Sequence, residues 1–190
     1  MRFAVLGPAE TCTGDPARRI ANEYPQLSGN YQVIHHTQLL ARLVAEGKLT
    51  PVTAIGEKLT YHDPCFLGRH NKVFTPPRQI LEAVPGVTAE EMHRCKNSGF
   101  CCGADEARMW MEERIGKRIN TERIDEALAL NPDTISTACP YCLVMLGDAV
   151  NAKKATGRAK QTLEVIDVAQ LLVRSVRTAP SDSAADRSVR

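Results

Sequence analysis

Asp133–Leu146 reads DTISTACPYCLVML. The run Asp133–Ala138 is of β type, and Cys-Pro-Tyr-Cys follows it at once. Pro140 suits the first turn of a helix, where its missing N–H costs nothing. Leu143, Val144 and Leu146 then supply apolar residues for that helix. The stretch is therefore a strand that hands over to a helix through two cysteines. Similar short β-type runs stand at Phe3–Gly7, Gln32–His36, Leu59–His62 and Leu163–Val168. Thr37–Glu46 places Leu39, Leu40, Leu43 and Val44 on one helical face, and Val168–Val176 reads as a further helix. Arg108–Leu130 reads as one long charged helix, with Ile115, Ile119, Ile124 and Leu128 near helical spacing. Strand alternating with helix predicts an α/β fold, with a mainly parallel sheet flanked by helices. Gly47–Gly56, Thr75–Pro77 and Pro85–Thr88 are expected to be connections.

Composition sets the outer limits. The 190 residues are 43% hydrophobic and 24% charged, which is enough apolar material for one ordinary core. Twenty-four Lys and Arg against 22 Asp and Glu leave a net charge of +2, so no nucleic-acid partner is expected. The longest stretch free of charge and His, Thr134–Gly147, is shorter than a membrane span and holds Thr, Ser and Pro. No signal-peptide core follows Met1–Gly7. A cytoplasmic chain is expected. Seven cysteines, an odd number, argue against a disulfide framework there.

Five of the seven make one constellation. They are Cys65 in HDPC, Cys101 and Cys102 in FCCG, and Cys139 and Cys142 in ACPYC, spaced C-x35-CC-x36-C-x2-C. Each group sits where an apolar run ends. In an open parallel sheet those ends share one edge, the usual binding crevice. All five thiols are thus expected at the C-terminal strand edge. Helix-terminal N–H groups at Pro140–Cys142 would favour thiolates. Gly103 is expected to take a positive φ in a sharp turn. Adjacent Cys101 and Cys102 are expected to diverge, which suits several metal atoms better than one tetrahedral ion. Soft thiolates without an acidic ligand favour an iron–sulfur cluster. Two other readings stay open. A structural zinc site would use four of the five, in a non-redox binding module. A thiol–disulfide oxidoreductase would use CPYC alone and leave Cys65, Cys101 and Cys102 without a task.

The remaining polar residues carry weaker signals. Cys95 stands alone in HRCK and reads as inert, while Cys12 is at most a vestigial ligand. His62 either orients a thiolate, donates to a cluster sulfur, or simply closes a strand end. His35 and His36 read as structural, and His70 and His93 carry no signal. Arg69 and Arg108 would add positive charge near an anionic cluster, or lie on exposed faces. Lys153, Lys154, Arg158 and Lys160 read as a solvated connection, and Trp110, the only tryptophan, as a core residue.

The chain also echoes itself. YQVIHHTQLLARLV (31–44) aligns with LEVIDVAQLLVRSV (163–176), and Cys12-Thr13-Gly14 aligns with Cys101-Cys102-Gly103. The two alignments have different offsets, so the first copy lacks a segment between Cys12 and Tyr31. Three units follow: a truncated first half-repeat (1–48), a complete cysteine-rich domain (59–176) and a disordered tail (177–190).

The cysteine arrangement resembles the cysteine-rich "CCG" domain family. That family includes the catalytic subunit of heterodisulfide reductase and iron–sulfur subunits of glycolate, lactate and anaerobic glycerol-3-phosphate oxidation systems. TCTGDPARR, VIHHTQLL, YHDPCFLGRHN, FCCGADEARMWMEE and TACPYCLVML are similar to the C-terminal half of bacterial iron–sulfur-binding reductases related to heterodisulfide reductase. The resemblance implies that Cys65, Cys101, Cys102, Cys139 and Cys142 ligate one [4Fe–4S] centre, cubane or of the non-cubane type that such a set holds in heterodisulfide reductase. It implies partner redox subunits carrying iron–sulfur or flavin groups, electron-transfer flavoprotein and a membrane quinone-reducing component among them. Through such a partner the chain would sit peripherally at the inner face of the plasma membrane. Turnover would need those partner domains. The chain departs from the family in having CTG for the first CCG, no first CxxC and no ferredoxin-type CxxCxxC run.

Overall fold

A computed structural model describes residues 24–104, 109–111 and 116–176. Among the described residues five α-helices and four strands carry the fold: α1 (His36–Ala45), β1 (Lys58–Tyr61), α2 (Thr75–Ala83), β2 (Thr88–Glu90), α3 (Ile119–Leu128), β3 (Thr134–Thr137), α4 (Pro140–Ala155), β4 (Glu164–Asp167) and α5 (Val168–Ser175). The four strands form one parallel sheet in the order β2-β1-β3-β4. Leu59 pairs with Thr134, and Thr134 with Glu164, so their side chains share a face; Thr60, Ile135 and Val165 share the other.

Both faces are covered, as a parallel sheet requires. On one face Leu59, Tyr61 and Ile166 pack with Leu67, Ile80 and Leu81 from the α2 side and with Leu171 and Leu172 of α5, and Ala41 of α1 joins them. On the other, Ile135 and Leu163 pack with Ile124 and Ala127 of α3 and with Met145, Leu146, Ala149 and Val150 of α4. Each buried Leu or Ile stabilises the fold by about 1.5–3 kcal/mol relative to exposure.

This layering fixes where a site can form. The β1-to-β2 connection runs toward one edge through α2. The chain then turns back across β1 to β3 and on to β4, through α3 and α4 on the opposite face. Right-handed crossovers in opposite directions must pass over opposite faces. Strand order therefore reverses between β1 and β3, and the crevice opens beyond their C-terminal ends.

Several details differ from the sequence-based expectations. Gln32–His36 is no strand; the helix starts at His36. β4 already pairs along β3, and the described residues offer this run no strand partner. α3 covers Ile119–Leu128 rather than Arg108–Leu130, and Gly116 has φ +73°, outside helical space. Thr75–Pro77 is the first turn of α2, because Pro76 and Pro77 occupy positions whose N–H groups have no helical partner. Thr88 opens the short exposed edge strand β2. Trp110 is 80% exposed and is not a core residue. Phe3–Gly7, Cys12, Arg108, Ile115 and the tail after Arg177 lie outside the described residues.

Candidate metal centre

β1 runs straight into His62-Asp63-Pro64-Cys65. His62 N donates to Ser136 O at 2.7 Å, which continues the β1–β3 ladder one residue past the strand. Asp63 then fastens the segment to its surroundings. Its carboxylate accepts both terminal nitrogens of Arg78 at 2.9 Å and the backbone N–H of Lys96 at 2.7 Å. One side chain thus ties the end of β1 to α2 and to the loop that leads to FCCG. Pro64 O accepts from Gly68 N at 2.9 Å, and Cys65 enters a wide π-helical turn over Phe66–His70. Arg69, on that turn, donates to Gly99 O and so latches the approach to Cys101 rather than presenting a free cation.

The second group is positioned by Gly103. Its φ is +89°, and a Cβ there would lie 3.1 Å from Ile119 Cβ, so glycine is needed for both reasons. Gly103 N donates to Cys101 Sγ at 3.3 Å. The third group starts α4: Cys139 occupies the N-cap with extended backbone, Pro140 follows, and Cys142 lies inside the first turn.

The five sulfurs meet as a continuous series. Cys101 interacts with both Cys65 and Cys102. Cys142 donates to Cys102 with sulfurs 3.4 Å apart, and it also contacts Cys139. The series therefore runs Cys65, Cys101, Cys102, Cys142, Cys139. Cys101 and Cys102 do not diverge as expected. They lie in an irregular segment rather than a strand, so side chains need not alternate, and Gly103 folds the chain back. Cys102 and Cys142 are buried, while Cys65, Cys101 and Cys139 are partly exposed and give the site an outer side.

The packed thiols shift one another in opposite directions. Donation from Cys102 and Cys65, helped by the Gly103 N–H, lowers the Cys101 thiol to about 2. Donation to Cys101 pushes Cys102 up to about 12, and the same partner pushes Cys65 up. Contacts with Cys102 and Cys139, and burial, raise Cys142. Close packing of groups that would carry like charge opposes their joint ionisation. A bound cation would relieve that repulsion and let the other thiols ionise.

His62 completes the inner wall. It is fully buried, and burial first, then the Arg123 cation, lowers its pKa to about 3. Arg123 Nε donates to His62 Nδ1 at 3.0 Å. His62, Cys102 and Cys142 each place a ligand-type atom within 4.8 Å of the other two. The sequence did not single out Arg123, Asp63 or Arg78. Arg123 sits in the charged run INTERIDEAL, and its contact with His62 spans 61 positions, so no local pattern marks it.

Other candidates fall elsewhere. Cys95 keeps company with Glu91, Asp63, Arg78 and Lys96 and takes no place in the sulfur series. His35 is structural: it caps α1, and burial lowers its pKa to about 4. His36 Nε2 lies 3.3 Å from Asp167 Oδ1. His70 stacks on Phe66 with centroids 5.0 Å apart. Lys153 is buried and paired with Asp125, so it is no part of a solvated patch; Lys160 pairs with Asp133 at 2.8 Å.

Comparisons with known proteins place the chain in a family. Residues 59–147 match a family described as the cysteine-rich CCG domain, a span that contains all five cysteines. The chain is 51% identical over 155 residues to a probable iron–sulfur-binding oxidoreductase of Bacillus subtilis, covering 82% of this chain and 21% of that protein. It is 41% identical over 217 residues to the EtfAB:quinone oxidoreductase of Syntrophomonas wolfei, covering 92% of this chain and 30% of the relative. It is 37% identical over 164 residues to one of the subunits of the dihydromethanophenazine:CoB–CoM heterodisulfide reductase of Methanosarcina barkeri, covering 86% of this chain and 39% of the relative. The chain thus spans between about a fifth and two fifths of these relatives. The 217 aligned positions exceed the 190 residues here, so the Syntrophomonas protein has intervening residues without a counterpart.

Proposed function

We infer, for a chain whose residues 59–147 belong to the cysteine-rich CCG domain family, an electron-transfer role as the iron–sulfur part of a larger heterodisulfide-reductase-like oxidoreductase. The observation that carries the reading is the unbroken series of five sulfurs at the switch point of the sheet. The donor set fits an iron–sulfur group. It is all soft sulfur, with a buried imidazole beside it. Cys65, Cys101, Cys102, Cys139 and Cys142 would hold one [4Fe–4S] centre. When bound, such a group supplies reversible one-electron chemistry.

The chain's own residues do the rest. Asp63 and Arg78 fix the end of β1 against the loop before FCCG, so sulfurs from three loops keep one geometry. Gly103 N–H directs a donor at Cys101. Burial of Cys102 and Cys142 excludes water on the inner side. The partly exposed Cys65, Cys101 and Cys139 mark the side from which an electron partner approaches. That partner is a flavin- or iron–sulfur-bearing redox subunit, as the quinone-oxidoreductase relative suggests. Among the described residues no helix is long and apolar enough to cross a membrane. Contact with a membrane quinone-reducing component would run through a partner.

Residues 1–48 are the shortened first half-repeat. The support is that α1 and α5 begin alike at aligned positions. His35 with Gln38, and Asp167 with Gln170, form the same reciprocal capping box.

A redox titration followed by EPR tests the function. Anaerobically reconstituted protein is expected to give a signal that appears and disappears reversibly over one electron. A colourless protein that binds one zinc and takes up no iron or sulfide would replace this reading with the zinc module.

A further inference from the structure

His62 looks at first like a sixth ligand, because its ring reaches within 4.8 Å of the Cys102 and Cys142 sulfurs. Its other contact argues otherwise. Arg123 is 1% exposed and held in three ways: Nη1 donates to Arg94 O at 2.8 Å and to Glu126 Oε2 at 3.0 Å, and Nε donates to His62 Nδ1 at 3.0 Å. A guanidinium has only donors. Nδ1 must therefore offer its lone pair, and a neutral ring then carries its proton on Nε2. That Nε2 is buried and has no hydrogen-bond partner among the described residues.

Imidazoles that ligate metals almost always donate their second N–H to a carbonyl or carboxylate, which makes the ligating nitrogen more basic. His62 shows the reverse. Its second nitrogen receives an N–H from a cation, which draws electron density out of the ring. The backbone also leaves the ring little freedom, since His62 N bonds Ser136 O at 2.7 Å and His62 O accepts from Thr137 Oγ1 at 3.1 Å.

We propose that Arg123 is a positioning residue that holds His62 as the tautomer protonated on Nε2. A neutral N–H donor, and not a ligating nitrogen, is then what the ring has left to offer the neighbouring sulfurs of Cys102 and Cys142. The purpose of the device rests on the iron–sulfur reading above; the tautomer does not. Electron density on ligand sulfur grows on reduction, and an N–H directed at it stabilises the reduced state. Glu126 and Arg94 pair at 2.8 Å and keep Arg123 in place from the surface side.

The test has two independent readings. In metal-free full-length protein labelled with 15N-histidine, ring correlations should report His62 protonated on Nε2, with the signal assigned by its loss in His62→Gln. Arg123→Met should shift that ring to a mixture of tautomers. A wild-type ring protonated on Nδ1, or already mixed, overturns the proposal even if Arg123→Met does not fold. In reconstituted protein, His62→Gln retains an N–H at a similar reach and should keep wild-type iron, sulfide and midpoint potential. His62→Leu should keep the iron and shift the potential to more negative values. Loss of iron in His62→Gln comparable with Cys102→Ala would make His62 a ligand and refute the proposal. An unchanged potential in His62→Leu would refute the donor role. If wild-type protein takes up no iron–sulfur group, the function proposed above fails, while the tautomer measurement still decides the role of Arg123.

Discussion

Helices α4 and α5 leave neighbouring parallel strands, β3 and β4, and begin in opposite ways. At α5 the end is closed. Asp167 accepts from Ala169 N at 2.8 Å, and Gln170 Oε1 accepts from Asp167 N at 2.8 Å. At α4 the N-cap residue is Cys139, which makes no side-chain cap, and Pro140 brings no N–H of its own. The sulfur of Cys139 meets Cys142 instead. One helix start is finished by its own side chains; the other gives its cap position to a group that works outside the helix. The favourable electrostatics of a helix N-terminus are therefore used within the backbone at α5 and kept for sulfur at α4. Fold stability and chemistry are divided between adjacent strand ends.

The sharpest way to break this contrast is to remove a sulfur from the open end. Cys142→Ala and Cys102→Ala are expected to abolish uptake of the iron–sulfur centre or convert it, as read by iron and sulfide per chain. Cys95→Ala should match wild type, since it lies outside the sulfur series. If Cys95→Ala bleaches the protein and Cys101→Ala does not, the ligand assignment is wrong.

The open end depends on a frame, and Asp63 is its joint. Its carboxylate is 4% exposed and the Arg78 side chain 13%. Asp63→Ala leaves the Lys96 N–H without its acceptor and the Arg78 guanidinium with only Glu91 and Phe74 O as partners. Because Glu91 still neutralises Arg78, a loss of about 1–3 kcal/mol is expected, the size for a buried donor left unsatisfied. Urea unfolding of the metal-free protein would measure it. A change below about 1 kcal/mol would mean that the cysteine loops do not need this anchor.

At the closed end the effect should be smaller and purely structural. Asp167→Ala removes a cap and should cost about 1 kcal/mol, with iron and sulfide content unchanged. A fall in iron content would show that the two helix starts are not separate in function. Smallest of all is the exposed pair formed by Glu164 and Arg174. The Arg174 hydrogen bond holds the Glu164 carboxyl below its ordinary value of 4.5. Its stabilisation is complete above that value and lost as pH falls through the lowered folded value. Because both side chains are about 40% exposed, Glu164→Gln should change stability at pH 7 by no more than about 0.5 kcal/mol. The difference from wild type should vanish in acid.

The same contrast explains what could be read from the sequence. Three cysteine groups at the ends of apolar runs were enough to place five sulfurs at one edge, because strand ends in a parallel sheet share that edge. The likeness of HHTQLL to DVAQLL was legible as a repeat, but the capping boxes that His35 and Asp167 form there were not read from it. A strand at Gln32–His36 was not real, since strands exist by pairing and a local pattern holds no information on a partner. α2 was hidden by Pro76 and Pro77, which mark a helix start as readily as a connection. β2 was hidden because three exposed residues, Thr88–Glu90, carry no apolar alternation. Arg123 and Asp63 were out of reach for a different reason. Buried ionic side chains look like surface charges until their distant partners, His62 and Arg78, are in place.

The proposed function turns on five cysteines from three loops holding one multi-iron centre. Iron and acid-labile sulfide, counted per chain after anaerobic reconstitution and removal of unbound metal, test it most directly. The expected result is about four of each, as for one [4Fe–4S] group. One tightly bound zinc, with neither iron nor sulfide retained, would contradict it.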